Sequence, residues 1–203
     1  MGHRLGTNRV LRVSQAQPHK CPCGKQVDAR GLRGLACRKA TARQQRHSHL
    51  NEILWRSTKR AQVPATREPV GRFRSDGKRP DRATQIPWAR SKPLAWDVTV
   101  PDTYADSHIN STSITAGAAA NHAETTKSAK YANLTSTHIF VSFVIETSGA
   151  WNAQAIELTQ EIGRRKTTVT GDPLETIHLF QRLSIAIQQA NATVSFTSTF
   201  KSE

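Results

Sequence analysis

Two rhythms of apolar residues alternate along this chain, one with the period of a helix and one made of short, β-branched runs. Over residues 40–61, Leu50, Ile53 and Leu54, widened by Trp55, form one stripe, and Arg46, Arg56, Lys59 and Arg60 cover the remainder. That pattern predicts a helix with a single buried face. Loop residues around a short strand follow over 63–77. Leu94-Ala95-Trp96-Asp97-Val98-Thr99-Val100 is apolar around its one charge and predicts a buried strand. The Ala-rich run 116–134, with Gly117 near its start, predicts a helix. Residues 138–145 predict a core strand ending at Glu146, and 153–165 a helix with Ala155, Leu158 and Ile162 inward. The last helix has Asp172 as N-cap, Pro173 at its first position and Glu175 where a capping box needs an acid. Its apolar face centres on Phe180, Leu183 and Ile187, widened by Leu179 and Ala186, with Ile177 at its edge and Ile185 off it. Residues 103–115, polar and rich in Ser, Thr and Asn, predict a mobile loop. The order helix, strand, strand, helix, strand, helix, helix predicts an α/β core with a central mixed sheet flanked by helices.

A lone acid inside an apolar strand needs a cation, a hydrogen-bond donor or a metal to tolerate burial, which makes Asp97 a ligand candidate. With fifteen residues between it and Asp97, Asp81 closes Gly77-Lys78-Arg79-Pro80-Asp81. Between the two acids, Ile86-Pro87-Trp88 and Ser91-Lys92-Pro93 supply turn chemistry that lets the chain double back and bring Asp81 beside Asp97. Paired carboxylates on adjacent strands suit Mg²⁺, which keeps several waters and leaves coordination for a substrate phosphate. Pro101-Asp102 follows a strand rather than opening one and reads as a turn. Lys127 and Tyr131 share a helical face, and Lys130 points to a neighbouring one.

Charge sharpens this picture. The net charge is +14, and residues 1–94 carry 22 Lys and Arg against 5 Asp and Glu, a balance of +17. The rest carries 7 against 10, or −3. So strong a field on one half points to nucleic acid, DNA or RNA, or to an anionic surface, with Arg46, Arg56, Lys59, Arg60, Lys78 and Arg79 as candidate nucleic-acid contacts; the alternative is a soluble face without a partner. There is no apolar run of eighteen residues and no charged-then-apolar leader, so neither a membrane span nor a signal peptide is expected. Three cysteines, two of them one residue apart, argue against a disulfide framework and for a reducing compartment. Cys21, Cys23 and Cys37 with one imidazole would complete a tetrahedral zinc site. His47 or His19 is the fourth ligand to consider; free thiols in a basic loop are the alternative.

Arg79-Pro80-Asp81, then Trp96-Asp97-Val98-Thr99, then Lys127-Ser128-Ala129-Lys130-Tyr131 resembles the restriction-like endonuclease domain at the C-terminus of certain non-LTR retrotransposon polyproteins, a branch of the PD-(D/E)xK nucleases. The similarity runs from about residue 18 to about residue 199. It implies a restriction-endonuclease-like core over residues 50–203, preceded by a zinc-knuckle-like basic module over 18–49 and a tail, or the end of an upstream element, over 1–17. Thr99 holds the place where such nucleases usually carry their lysine. The resemblance moves that role to a following helix, to Lys127 or Lys130, with Lys130 preferred. It implies Asp81 and Asp97 as the Mg²⁺ ligands and Glu52 as an assisting acid, although Glu52 is also four residues from Arg56 and placed to pair with it. Glu68 is a weaker acidic candidate. Related domains carry a zinc-binding histidine where this chain has Arg33, which leaves His47 or His19 to complete the site. The implied activity is Mg²⁺-dependent nicking of DNA in the nucleus, exposing a 3′ hydroxyl for an upstream reverse transcriptase of the same polyprotein. The rival reading is a non-catalytic nucleic-acid-binding remnant.

Overall fold

A computed structural model of the chain describes residues 19–21, 23–27, 35, 37, 41–67 and 79–199. Within these the order is β1 (His19–Lys20), β2 (Gln26–Val27), α1 (Thr41–Arg60), β3 (Ala65–Arg67), β4 (Arg82–Thr84), β5 (Leu94–Thr99), α2 (Ile109–Thr112), α3 (Ala118–Lys130), a 3₁₀ turn (Ala132–Ser136), β6 (Ile139–Val144), α4 (Ala153–Thr170) and α5 (Glu175–Thr199). β1 and β2 form a small antiparallel hairpin. The remaining strands form one mixed sheet in the order β3-β4-β5-β6, antiparallel except for the parallel β5–β6 pair. Helices flank this sheet, as the alternating rhythms predict.

The period of two along β5 divides the layers. Leu94, Trp96 and Val98 join Phe143 and Ile145 against Leu50, Ile53 and Leu54 of α1, Leu158 and Ile162 of α4, and Leu179, Leu183 and Ile187 of α5. Each of these side chains is less than a tenth exposed, and full burial of one such side chain contributes about 1.5–3 kcal/mol. The intervening residues Ala95, Asp97 and Thr99 belong to the opposite face, where Ala83, Ala95, Tyr131 and Leu134 form a second, smaller cluster. Asp97 therefore faces the end of α3, and the sequence alternation alone determines that side.

Several boundaries differ from the sequence expectations. α1 runs unbroken through residues 49 and 50, so the module boundary read there falls inside a rigid helix. Residues 103–115 carry the short helix α2 rather than forming an open loop, and Thr103 at their start is tied to Glu146. That carboxylate, 1 % exposed, accepts from Thr103 Oγ1 at 2.9 Å and from Ala120 N at 3.0 Å, capping the start of α3. Glu175 does not close a capping box; it pairs with buried Lys166 across α4 and α5. Asp172 still caps, accepting from Leu174 N at 2.8 Å. α4 continues to Thr170 and stops at Gly171, whose φ of +77° suits glycine. Gly163 allows α4 and α5 to touch, because a Cβ there would lie 2.6 Å from Thr176 Cα.

Candidate active site

The segment joining β4 to β5 tightens at a two-residue turn, with Arg90 and Ser91 at φ +49° and +57° and Ala89 bridged to Lys92. Beyond this turn, β4 and β5 pair in the register Arg82↔Trp96 and Ala83↔Ala95. One step further, that register brings Asp81 opposite Asp97. The two carboxylates line one cavity of about 450 Å³ together with Arg43, His47, Thr99 and Lys127.

Asp81 is held from three directions. Its Oδ2 accepts from His47 Nε2 at 2.9 Å, Asn51 Nδ2 at 2.8 Å and Val98 N at 2.7 Å. Burial pushes its pKa up, but the bond to His47, the charge of that ring and the Val98 and Asn51 donors outweigh burial and leave the carboxyl below its ordinary value. The same bond raises the pKa of His47 against the opposing effect of burial. Asn51 is also tied to the core, its Oδ1 accepting from Trp96 Nε1 at 3.1 Å.

Asp97, 4 % exposed, receives Lys127 Nζ on Oδ1 at 2.5 Å and the Tyr131 hydroxyl on Oδ2 at 2.9 Å. The same hydroxyl lies 2.7 Å from Arg79 O; having one proton, it donates to one of these acceptors at a time. Lys130 Nζ donates to that hydroxyl at 2.9 Å and sits 4.5 Å from the ring centroid. The lysine on the carboxylate is therefore Lys127, and the preferred Lys130 stands three residues further along α3, against Tyr131. Helical geometry explains the exchange: Lys127 and Tyr131, four apart, face the sheet together.

Other expected residues lie elsewhere. Glu52 is bound by Arg56 at 2.8 Å, Arg67 at 3.1 Å and Arg82 at 3.5 Å. Its Arg56 bond, aided by Arg67, outweighs desolvation and lowers its pKa. It faces a separate groove, so the ion-pair reading of Glu52 fits and the metal-assisting one does not. Arg46 is 2 % exposed and donates to Leu35 O and Asn191 Oδ1, which removes it from any phosphate-binding face. Arg56, Lys59, Arg60 and Arg79 are exposed. Lys78, Glu68 and Arg33 lie outside the described residues.

The Cys21, Cys23 and Cys37 sulfurs all lie within 4.8 Å of one another. Zn–S bonds of about 2.3 Å in a tetrahedron separate sulfurs by roughly 3.8 Å, so these donors are near the spacing a metal requires. Burial, with the neighbouring thiols, pushes Cys21 up to about 11. Gly24 at φ +85° turns the hairpin, with Cys21 N donating to Lys25 O. The imidazole expected from His47 is engaged at Asp81 instead, and the side chain of His19, the other candidate, lies outside what the structure describes.

His47, Asn51 and Arg43 are the site residues that sequence reasoning missed as companions of Asp81. The available signal was that residues 43, 47 and 51 recur every four positions on one face of α1. Comparison with protein-family models finds no match to the chain, and no curated protein matches it.

Proposed function

We propose that this chain is a Mg²⁺-dependent DNA endonuclease of the restriction-like kind associated with non-LTR retrotransposons, acting in the nucleus. The observation that carries the reading is the convergence of Asp81 and Asp97, from opposed strand positions, on one cavity with an ammonium group bound to the second acid. The donors suit a hard cation. Among the described residues, Asp81 Oδ1 accepts no hydrogen bond and the buried Thr99 Oγ1, which lines the same cavity, has no partner. Asp81 and Asp97 would hold Mg²⁺, which supplies Lewis acidity to the phosphate and acidifies a water when bound.

The chain's own residues supply the rest. Val98 N–H, Asn51 and His47 fix one oxygen of Asp81 and leave the other toward the cavity. Lys127 places positive charge where negative charge builds on the phosphate. Arg43, at the cavity wall, is placed to meet the flanking backbone. His47, held protonated more firmly by Asp81, carries a proton at Nε2. By the resemblance, the nicked strand offers a 3′ hydroxyl to an upstream reverse transcriptase, and the three thiols hold zinc. The test is plasmid nicking with Mg²⁺ by the intact chain and by Asp97→Ala and Asp81→Ala. Nicking by the parent chain and by neither variant is expected. Equal nicking by Asp97→Ala removes the reading, and binding without nicking by all three makes the chain a nucleic-acid-binding remnant.

A further inference from the structure

Apart from the cavity holding the two acids, α1, β3 and α5 enclose a groove of about 630 Å³ with a different electrostatic design. Glu52, its side chain a quarter exposed, lies at one wall and engages three guanidinium groups. Arg82, 5 % exposed, approaches Glu52 from the buried side. Arg56 and Arg67, with side chains 67 % and 69 % exposed, stand on the open side. Arg56 uses Nε on Glu52 and Arg67 uses one Nη, which leaves further N–H donors on each side chain directed away from the carboxylate. Among the described residues that line the groove, one acid, Glu52, stands against Arg56 and Arg67, a positive balance. Trp55 does not offer an open ring here, because Lys59 lies 4.7 Å, Arg82 4.8 Å and Arg67 5.7 Å from its centroid. Cations crowd this ring, which makes it a platform for charge rather than for a stacked base.

We infer that this groove is a phosphodiester-binding site, in which Glu52 holds Arg56 and Arg67 in place so that their remaining donors grip the backbone of a nucleic acid without reading its bases. The inference rests on the nuclease reading only in expecting DNA as the usual occupant. A carboxylate that orients arginine forks reduces the side-chain freedom lost on binding, and arginine forks suit phosphate.

The test is binding of a short labelled DNA duplex, and separately of an RNA strand, by the intact chain without Mg²⁺ across a salt series. Each phosphate contact contributes about 0.9 to the duplex salt slope. Arg56→Ala with Arg67→Ala should therefore lower that slope by about 1.8, so that over a fourfold rise in salt the parent loses roughly 12-fold more affinity than the variant. Both arginines are largely exposed, so the fold does not depend on them. Glu52→Gln separates organisation from bulk charge: the inference expects weaker binding although a negative charge is gone. A loss on both probes identifies the shared phosphodiester chemistry, and a loss on one identifies its source. An unchanged slope in the arginine variant, or tighter binding by Glu52→Gln, overturns the inference. Nicking is scored separately: a lost slope in a chain that never nicks leaves the groove standing and removes the nuclease, and nicking with an unchanged slope does the reverse.

Discussion

Replacing Lys127 by alanine removes the ammonium from Asp97 Oδ1 and leaves the Tyr131 hydroxyl as its hydrogen-bond donor. The carboxylate is only 6 % exposed at its side chain, so water restores little of the lost bond, whereas Lys127 is a quarter exposed and already partly screened. Hydrogen bonds to charged groups contribute about 1.5–3 kcal/mol, and the screening favours the lower end, about 1.5 kcal/mol. For a chain of this length that corresponds to a fall in Tm of about 3–6 °C without Mg²⁺. Under the nuclease proposal the kinetic effect is larger: removing one preorganised donor at a reacting phosphate costs on the order of 10²- to 10³-fold in rate. Single-turnover nicking with saturating Mg²⁺, alongside anisotropy binding of the same DNA, measures the two effects apart. Lys127→Ala should lose rate at nearly unchanged affinity, and Lys130→Ala, acting only through Tyr131, should lose less. A greater rate loss in Lys130→Ala, or a Lys127→Ala that loses affinity alone, refutes the assignment.

The His47–Asp81 pair gives stability a defined pH dependence in Mg²⁺-free buffer. The raised His47 contributes fully below its ordinary value of 6.5 and loses its contribution as pH rises through its higher folded value; the depressed Asp81 contributes fully above 3.8 and loses its contribution as pH falls through its lower folded value. The urea-unfolding difference between the parent and His47→Gln should therefore be largest between those two ordinary values and shrink above them; a difference that grows toward alkaline pH contradicts the pairing. For the thiols, refolding with zinc should leave one equivalent per chain by elemental analysis and release protons, since Cys21 starts as a thiol near 11. No bound zinc after refolding removes that site.

The strand bearing Asp97 was legible because a charge inside Leu-Ala-Trp and Val-Thr-Val has few physical excuses, and the alternation around it also fixed which face it occupies. The short turn residues between Asp81 and Asp97 were sufficient to predict the doubling back. Side-chain destinations were less legible. His47 carries equal chemistry for a metal or an acid, and its partner is 34 residues away, set by strand register rather than by any local signal. Arg46 lies on a basic helix beside exposed arginines, and only the packing of α5 shows that it is buried. Lys127 and Lys130 differ by three positions on one helix, and which faces Asp97 depends on how α3 is rotated. That rotation follows from the buried Glu146 cap and from Tyr131, neither of which has a sequence period.

Helix α1 carries residues of both proposed sites on one continuous rod. His47 lines the cavity of the two acids and Arg56 the arginine groove, nine residues apart on a helix with no break between them. At 1.5 Å per residue their axial offset is about 14 Å, close to four phosphate steps along one DNA strand. At 100° per residue they stand about 180° apart around the axis, and a single inserted residue between them would turn one relative to the other by about a further 100°. Under the two proposals the helix would work as a ruler, its pitch setting the interval from grip to cut, and a loop could vary in length far more freely than this rod.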